Sequence, residues 1–265
     1  MLNNNVTKVG IVGLGFVGGA IAQNMPCEIR IVDNDLSKST HTYAELKECD
    51  GIFVCVPTPM SFDGVCNTSI LEEVLENFKD YTGPIISKCT APPTVYTKLA
   101  KQYPNLIHAP EFLTAANAKH DYQYGKFAVI GGSNSAHIDK AERIIRIGQS
   151  NLITVAHVTI EEAALMKYGI NTFLATKIVF MNELFILCSK LEIDYCIISS
   201  LMKLDSRIGS THMKVPGQDG LGFDGMCFPK DTNALYSYAK ANGIDMELLG
   251  HTIEVNKKLR KIGSK

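Results

Sequence analysis

The 265-residue sequence lacks several features that would place it in a specialised class of protein. It contains no CxxC pair, so the usual spacing of zinc ligands is absent. Its 26 basic and 27 acidic residues leave a formal net charge of -1, which argues against a general nucleic-acid or polybasic membrane surface. The N-terminus has no signal-peptide layout, and no apolar run approaches the roughly 18 residues of a membrane span. These absences favour an ordinary globular protein with no metal, nucleic acid or membrane as its partner.

Eight cysteines are present, but most lie in settings typical of reduced thiols. Cys55, for example, belongs to the apolar run GIFVCVP, where a thiol acts as a small buried hydrophobe. The sequence therefore predicts a reduced, cytoplasmic protein. Cys227 differs, because it lies in the Gly-rich stretch GFDGMCFPKD beside Lys230, just ahead of a helix predicted to start near Pro229. This thiol is either a nucleophile or a small side chain in a tight loop.

Short apolar runs alternate with helix-like segments in the first half of the chain. Seven runs are predicted as strands: KVGIVGLG, EIRIVDND, GIFVCVPTP, GPIISKCTAPP, NLIHAPEF, FAVIGGS and NLITVAHV. Continuous Val/Ile runs between helices are typical of a parallel sheet covered on both faces. We therefore predict an α/β fold, in which residues 1–157 form an N-terminal doubly wound Rossmann domain.

The second half of the chain is predicted to be an all-helical domain, residues 158–265, with a long central helix from about 159 to 190. Thr159 followed by Glu161 and Glu162 is a typical N-terminal helix signal. The helix is apolar along more than one face. A core helix would explain this, but a helix that bridges domains or forms a homodimer accommodates the surface better. A Gly/Pro-rich loop, 208–230, is the main interruption.

A dinucleotide site is predicted at the start of the chain. Gly13, Gly15 and Gly18 have the GxGxxG spacing between an apolar strand and a helix-like segment. Asp33 follows the second strand, twenty residues after the first glycine, where it could bond a ribose hydroxyl. An acid there repels a 2'-phosphate, so NAD is favoured over NADP.

Polar candidates for chemistry lie at strand ends and on the long helix. Lys167 and Asn171 are four residues apart on one helical face, either as a surface polar pair or as part of a wet cleft. Glu111 and Thr90 follow strands, where ligand-binding loops lie, although each could be a cap or turn residue. Beside an NAD site, Cys227 could trap an aldehyde as a thiohemiacetal. That chemistry would carry an alcohol through to an acid.

The sequence resembles the UDP-glucose 6-dehydrogenase and GDP-mannose dehydrogenase family of four-electron, NAD-dependent nucleotide-sugar oxidases. The matching motifs occur in the family's order: GLGFVG, VPTP, SKCTAPPTV, APEFL, KYGINTFLATKI, RIG and GFDGMCFPKDTNAL. The last is the most specific, because it is close to the family's active-site signature. The resemblance implies a cytoplasmic homodimer that oxidises UDP-glucose to UDP-glucuronate for polysaccharide biosynthesis.

Roles for individual residues follow from the same resemblance. Cys227 is expected to be the nucleophile, and Asp231 to handle the proton or water of thioester hydrolysis. Lys167 and Asn171 would stabilise the oxyanion, while Glu111 and Thr90 would position the water. Lys230 would contact cofactor or substrate, and the resemblance implies further cofactor contacts from Phe16, Val17, Lys38, Pro57, Thr58 and Thr90. The substrate-binding set is Glu111, Phe112, Leu113, Lys167, Asn171, Arg207, Gly222 and Cys227.

Three departures from the family pattern leave alternatives open. Ala115 stands where the family has a second glutamate, and Asp224 replaces a glycine, which is tolerable if that turn needs a left-handed residue. The chain also ends near where the family's C-terminal nucleotide-sugar-binding domain would begin, so we expect a fragment or a short enzyme. The alternatives are a two-electron dehydrogenase of the 6-phosphogluconate or hydroxyisobutyrate type, and a catalytically inactive NAD-binding dimer.

Overall fold

The chain folds into two compact units. The computed structural model describes residues 6–62, 64–114, 117–217 and 220–263. Unit 1 comprises residues 1–59 and 66–167, and unit 2 comprises residues 60–65 and 168–265. The division falls between Lys167 and Tyr168, inside the long helix, whereas the sequence pattern placed it after residue 157. The first turns of that helix belong to unit 1 because Ile160 and Ala164 are buried in its core.

Unit 1 is built on a sheet of seven strands, one for each of the runs predicted from the sequence. They are β1 (Lys8–Val12), β2 (Glu28–Val32), β3 (Gly51–Val54), β4 (Ile85–Ser87), β5 (Leu106–His108), β6 (Phe127–Gly131) and β7 (Thr154–Val158). Their spatial order is β2-β1-β3-β4-β5-β6-β7. Every residue of β3 and β4 is buried, which explains why these strands are continuous apolar runs.

The predicted parallel sheet contains one antiparallel pair of strands. β1 to β5 are parallel, but β5 and β6 are antiparallel, joined through His108 opposite Gly131. β6 and β7 are again parallel to each other. A strand that is buried on both faces has the same apolar pattern in either direction, so the sequence could not reveal this reversal. The predicted fold class, a Rossmann unit followed by a helical unit with a long central helix, is confirmed.

Six helices cover the two faces of the sheet: α1 (Phe16–Ala22), α2 (Tyr43–Leu46), α3 (Ser69–Glu76), α4 (Pro93–Gln102), α5 (Ala118–Gln123) and α6 (Ser135–Gly148). Successive strand residues point to opposite faces. Val12 therefore packs in the core under α3 and α4, whereas Ile11 packs in the core under α1 and α6. With both faces covered, the carboxyl ends of β1 to β5 form the edge at which ligand loops lie.

Helix α7 (Ile160–Lys190) has 31 residues and is about 46 Å long. The predicted start signal is confirmed: the Glu162 backbone N–H donates to Thr159 Oγ1 at 3.2 Å, and the Thr159 N–H donates to Glu162 Oε2 at 2.8 Å. Contrary to the expectation from the sequence, α7 is long and apolar enough to cross a membrane, with a mean hydropathy of 1.4 in its best window. The core helix of a soluble protein passes the same test.

Besides residues 60–65, unit 2 contains the rest of α7 with α8 (Tyr195–Met202), α9 (Phe228–Ala241) and α10 (Glu247–Gly263). Ala175 and Val179 of α7 pack with Leu259 of α10 and with Phe223, which lies in the long loop between α8 and α9. This loop is the interruption predicted at 208–230. Its last residues lead directly into α9, whose start agrees with the predicted start near Pro229.

Candidate functional site

The glycine turn between β1 and α1 has two glycines at which no side chain would fit and a third with open space beside it. Gly13 has φ +89°, and a Cβ on it would lie 2.7 Å from the Cys55 carbonyl oxygen. A Cβ on Gly18 would lie 1.9 Å from the Gly13 carbonyl oxygen. A Cβ on Gly15 would meet no atom within 4 Å. The turn is therefore tightly packed at Gly13 and Gly18. No atom fills the space beside Gly15 at the start of α1, so a pyrophosphate can approach the backbone there.

Asp33, at the end of β2, lies beside this turn. Its Oδ2 accepts a hydrogen bond of 2.5 Å from the Leu14 N–H, and its Oδ1 accepts one of 2.8 Å from the Asp35 N–H. The carboxylate is thereby held in a fixed orientation. Lys38 is exposed and pairs with Asp35 at 3.4 Å. Phe16 is exposed and Val17 half-buried. The glycine turn and the oriented acid fit NAD, since the acid can bond a ribose hydroxyl.

The loops that follow β3 and β4 are joined by two predicted cofactor residues. The buried Thr58 donates its hydroxyl to the Thr90 carbonyl oxygen at 2.6 Å. Pro57, just before it, is exposed. The Thr58 hydroxyl thus holds the two loops together at the carboxyl edge of the sheet. Thr90 itself stays partly accessible.

The predicted residues Glu111 and Lys167 form a shielded ion pair within unit 1. Lys167 Nζ donates to the Glu111 carbonyl oxygen at 2.6 Å and to its Oε1 at 3.1 Å. The two side chains are only 5% and 12% exposed, for Lys167 and Glu111 respectively. Glu111 Oε2 accepts from the Leu113 N–H at 2.6 Å, and the Phe112 ring centroid lies 5.3 Å from Lys167 Nζ. The loop after β5 is therefore fixed to α7 by charge-assisted hydrogen bonds.

Unit 2 brings together four other predicted residues around the start of α9. Asp231 is 1% exposed, and its Oδ2 accepts from Asn171 Nδ2 at 2.6 Å. Its Oδ1 accepts from Lys230 Nζ at 2.5 Å. Cys227 is the exposed N-cap residue of α9, and its carbonyl oxygen accepts from the Asp231 N–H at 2.8 Å. An α-helix N-terminus favours the thiolate form of an adjoining cysteine.

Two buried amides that the sequence analysis did not select hold the loop ahead of Cys227. Asn182 Oδ1 accepts from the Gly222 N–H at 3.0 Å. Asn256 exchanges two hydrogen bonds with the backbone of Phe223, at 2.7 and 3.0 Å. Gly222 has φ +76°, and a Cβ there would lie 2.4 Å from Asn256 Oδ1. The signal for Asn182 in the sequence is an amide within the apolar run IVFMNELFIL of α7, whereas Asn256 lies on the largely polar helix α10 and has no such signal.

The suggested left-handed role of Asp224 is wrong. Asp224 does not have a positive φ, unlike its neighbours Gly222 and Gly225, and its carboxylate instead binds Arg260 Nη2 at 2.6 Å. Arg207 is not brought to the other predicted residues, because its exposed guanidinium binds Asp205. Ala115 lies outside the described residues. Within the described ranges, no group of three or more His, Cys, Asp or Glu side chains could hold a metal ion.

Sequence models of one family match both halves of the chain. The UDP-glucose/GDP-mannose dehydrogenase NAD binding domain matches residues 27–147, and the central domain of the same family matches residues 161–258. The UDP-glucose 6-dehydrogenase of Rickettsia bellii is 34% identical over 236 residues, which are 85% of this chain and 54% of that protein. TuaD, a UDP-glucose 6-dehydrogenase of Bacillus subtilis, is 32% identical over 246 residues, 88% of this chain and 52% of that protein. The chain thus spans about half the length of these relatives.

Solved structures share the fold over nearly the whole chain. A UDP-glucose dehydrogenase from Pyrobaculum islandicum aligns with a TM-score of 0.85 at 22% identity, covering 97% of this chain and 69% of that one. A 3-hydroxyisobutyrate dehydrogenase from Mycobacterium tuberculosis aligns with a TM-score of 0.73 at 16% identity, covering 97% and 95%. These likenesses establish the fold alone. The family models, which match an NAD-binding half and a central helical half in one chain, place this protein in the UDP-glucose/GDP-mannose dehydrogenase family.

Proposed function

We propose that the chain catalyses the NAD-dependent, four-electron oxidation of a nucleotide sugar to an acid, UDP-glucose to UDP-glucuronate being the favoured case. The observation that carries this proposal is the first turn of α9. There the exposed thiol of Cys227 precedes by one turn the buried carboxylate of Asp231, which Asn171 and Lys230 hold. A nucleophilic thiol serves an NAD enzyme when an aldehyde must be oxidised further to an acid. Family membership supports a nucleotide sugar as the substrate.

The chemistry assigned to unit 2 centres on Cys227. When bound, NAD accepts one hydride in each of the two oxidation steps. The Cys227 thiolate adds to the carbonyl carbon of the aldehyde and forms a thiohemiacetal, and loss of the second hydride leaves a thioester. Water then cleaves the carbon–sulfur bond, which releases the acid and regenerates the thiol. Asn171 donates to the developing oxyanion, and Asp231 takes up the proton that the water loses.

The other predicted residues, from both units, are assigned to binding and positioning. Lys167, held by Glu111, supplies positive charge for the oxyanion. Glu111 and Thr90 orient the water. Gly13, Gly15, Gly18 and Asp33 hold the NAD pyrophosphate and ribose, as the open space at Gly15 supports. The remaining assignments are Phe16, Val17, Lys38, Pro57, Thr58 and Lys230 toward the cofactor, and Phe112, Leu113, Arg207 and Gly222 toward the sugar nucleotide.

A two-electron dehydrogenase of the hydroxyisobutyrate type is the second candidate function. The fold is compatible with it, because the Mycobacterium tuberculosis structure has the same fold over 95% of its length. Such an enzyme removes one hydride and has no need of a thiol. A catalytically inactive NAD-binding protein is the third candidate.

The stoichiometry of NADH distinguishes these candidates. Purified protein with NAD is incubated with UDP-glucose, GDP-mannose, UDP-N-acetylmannosamine, 3-hydroxyisobutyrate and 6-phosphogluconate, and each product is identified by mass. We expect a nucleotide sugar to yield its acid with two NADH per molecule, because the aldehyde is oxidised before release. One NADH from a hydroxy acid, with none from any sugar nucleotide, would establish the two-electron candidate. NAD binding without turnover on any compound would establish the inactive one.

We further propose that the protein is a cytoplasmic homodimer whose partner surface lies on α7. Phe173, Phe180 and Leu187 are 68%, 55% and 52% exposed. They recur every seven residues, or about 10.5 Å along the helix, so they form one apolar stripe. A contiguous exposed apolar surface of this kind is typical of a protein interface. A second copy of the chain offers the same stripe, which makes a two-fold contact self-complementary.

The homodimer is checked by size-exclusion chromatography with light scattering. The unmodified chain is expected at twice its monomer mass at micromolar concentration. Phe180→Asp should shift it to the monomer, because a carboxylate in the centre of an apolar interface is left without a partner. Leu248→Asp on α10, where Leu248 is 72% exposed, is the matched control and should stay dimeric. A monomeric wild-type protein would refute the proposal.

A further inference from the structure

Arg260, near the end of α10, makes two contacts with the loop that leads to Cys227. Its Nη2 donates to Asp224 Oδ2 at 2.6 Å, and its Nη1 donates to the Leu221 carbonyl oxygen at 3.4 Å. The first contact is a charge-assisted hydrogen bond, because both groups are ionised. One guanidinium therefore joins two points of the loop that lie three residues apart.

The same face of α10 carries a second attachment for this loop. Asn256 precedes Arg260 by four residues, about one helical turn, and exchanges two hydrogen bonds with the Phe223 backbone. Leu259 packs with Phe223 in the core of unit 2. Residues 221–224 are therefore bound to one face of one helix, and Asp224 is the last of them before the thiol.

Two residues separate Asp224 from Cys227, and packing constrains neither of them tightly. Gly225 has φ +83°, and a Cβ there would meet no atom within 4 Å. Met226 is 85% exposed. The position of the Cys227 backbone is therefore set from two sides, by the start of α9 and by the point at which Asp224 is held.

The ion pair between Asp224 and Arg260 is too exposed to add much to the stability of the fold. The two side chains are 50% and 30% exposed, respectively, and water and salt weaken ion pairs in such settings. The family pattern has glycine in place of Asp224, and a glycine could not make this contact. The pair is thus specific to the loop of this chain, where its effect falls on the placement of the thiol.

We infer that Arg260 and Asp224 are positioning residues for the Cys227 thiol. The inference rests on the proposed function, in which Cys227 is the nucleophile. Both side chains act through the backbone of the loop, which they restrict so that the thiolate meets the carbonyl carbon of the aldehyde. Displacing a reacting atom by about 1 Å costs roughly a hundredfold in rate, so a loosened loop should cost part of that.

The first test compares kcat and KM for acid formation from the nucleotide sugar that the wild type oxidises. Arg260→Met removes the guanidinium but keeps an apolar stem, and Asp224→Asn removes the charge with little change in shape. Each should lower kcat roughly tenfold, by more than it changes KM. Arg260→Lys keeps the charge and should recover part of the loss. The double variant should be no slower than Arg260→Met alone, because both changes break the same contact.

Arg146→Met is the matched control. Arg146 on α6 donates to Glu142 Oε1 at 2.6 Å and to the Leu152 carbonyl oxygen at 3.3 Å, and the side chains of the ion pair are 37% and 21% exposed. This change therefore removes a closely similar set of contacts from unit 1, and kcat should stay at the wild-type value. Asp224→Asn, at a half-exposed position, keeps the test valid if Arg260→Met is unstable. Wild-type kcat in a folded Asp224→Asn protein would overturn the inference.

Hydrogen exchange separates this inference from the proposed function. Peptides covering residues 221–227 should exchange their amide hydrogens faster in Arg260→Met and Asp224→Asn than in the wild type or in Arg146→Met, because local opening governs exchange. A wild type without turnover on any nucleotide sugar would refute the proposed function, and exchange would then decide whether the pair holds the loop. Unchanged exchange in both variants would show that it does not.

Discussion

Cys227→Ser is expected to lower the rate of acid formation about a thousandfold or more while NAD binding stays unchanged. A serine hydroxyl is a much weaker nucleophile than a thiolate at neutral pH, so the covalent ester forms or turns over slowly. Cys227 is exposed and caps α9 through its backbone, so the change of sulfur to oxygen leaves the helix start intact. The rate is measured by mass analysis of the product acid, and NAD binding is measured separately by calorimetry.

Two further variants test whether the loss of activity is specific to the Cys227 thiol. Cys227→Ala should be as inactive as Cys227→Ser, because no covalent route remains. Cys196→Ser is the matched control, since Cys196 is also exposed but lies on α8, and it should retain full activity. Substitutions of the six other cysteines should act through packing, and so through stability rather than chemistry. Near-normal acid formation by a folded Cys227→Ala protein would remove the thioester step and leave Cys227 as a turn residue.

The fold was largely predictable because its signals are local. Buried strands such as β3 need apolar residues on both faces, so they are visible as apolar runs. Helix α7 was predicted from about 159 to 190 and extends over Ile160–Lys190, because its cap residues and its apolar run are contiguous in the sequence. The direction of a strand, in contrast, has no local signal in the sequence. His108 pairs with Gly131 in an antiparallel bridge, and neither residue carries a signal for that choice.

The residues of the candidate site were predictable from the sequence, but the contacts that hold them in place were not. Motif spacing selects Cys227, Asp231 and Asn171, but it does not select the side chains that anchor the loop ahead of Cys227, which come from distant parts of the chain. Asn182 reaches the Gly222 backbone across forty residues, and the Asp224 carboxylate binds Arg260 thirty-six residues away. A side chain that anchors a loop in this way has no sequence neighbour that marks it.

Lys88 is the instructive case among the missed residues. It directly follows the buried strand β4, in a position that sequence reasoning assigns to a solvated loop lysine. It is only 7% exposed, and its ammonium lies 5.8 Å from the centroid of the Phe53 ring, thirty-five residues earlier in the chain. That enclosure is a property of the folded chain, so it becomes visible only in three dimensions.

Substitutions in the glycine turn should separate folding from cofactor binding. Gly18→Ala is expected to destabilise the protein by about 3 kcal/mol, because its Cβ would lie 1.9 Å from the Gly13 carbonyl oxygen and the backbone must move. Gly15→Ala meets no protein atom within 4 Å, so the fold should be kept. Its new methyl group, however, occupies the space that the pyrophosphate needs, and NAD affinity should fall at least tenfold, a loss of about 1.4 kcal/mol.

Gly19→Ala is the matched control for both changes. A Cβ there also meets no atom within 4 Å, but Gly19 lies inside α1 rather than in the turn. Alanine in a helix interior should therefore stabilise the protein by about 0.5–1 kcal/mol, with NAD affinity unchanged. Urea unfolding gives the stabilities, and calorimetric titration with NAD gives the affinities. If Gly15→Ala binds NAD as tightly as Gly19→Ala does, the pyrophosphate does not approach the backbone at Gly15, and the glycine turn is only a structural feature of unit 1.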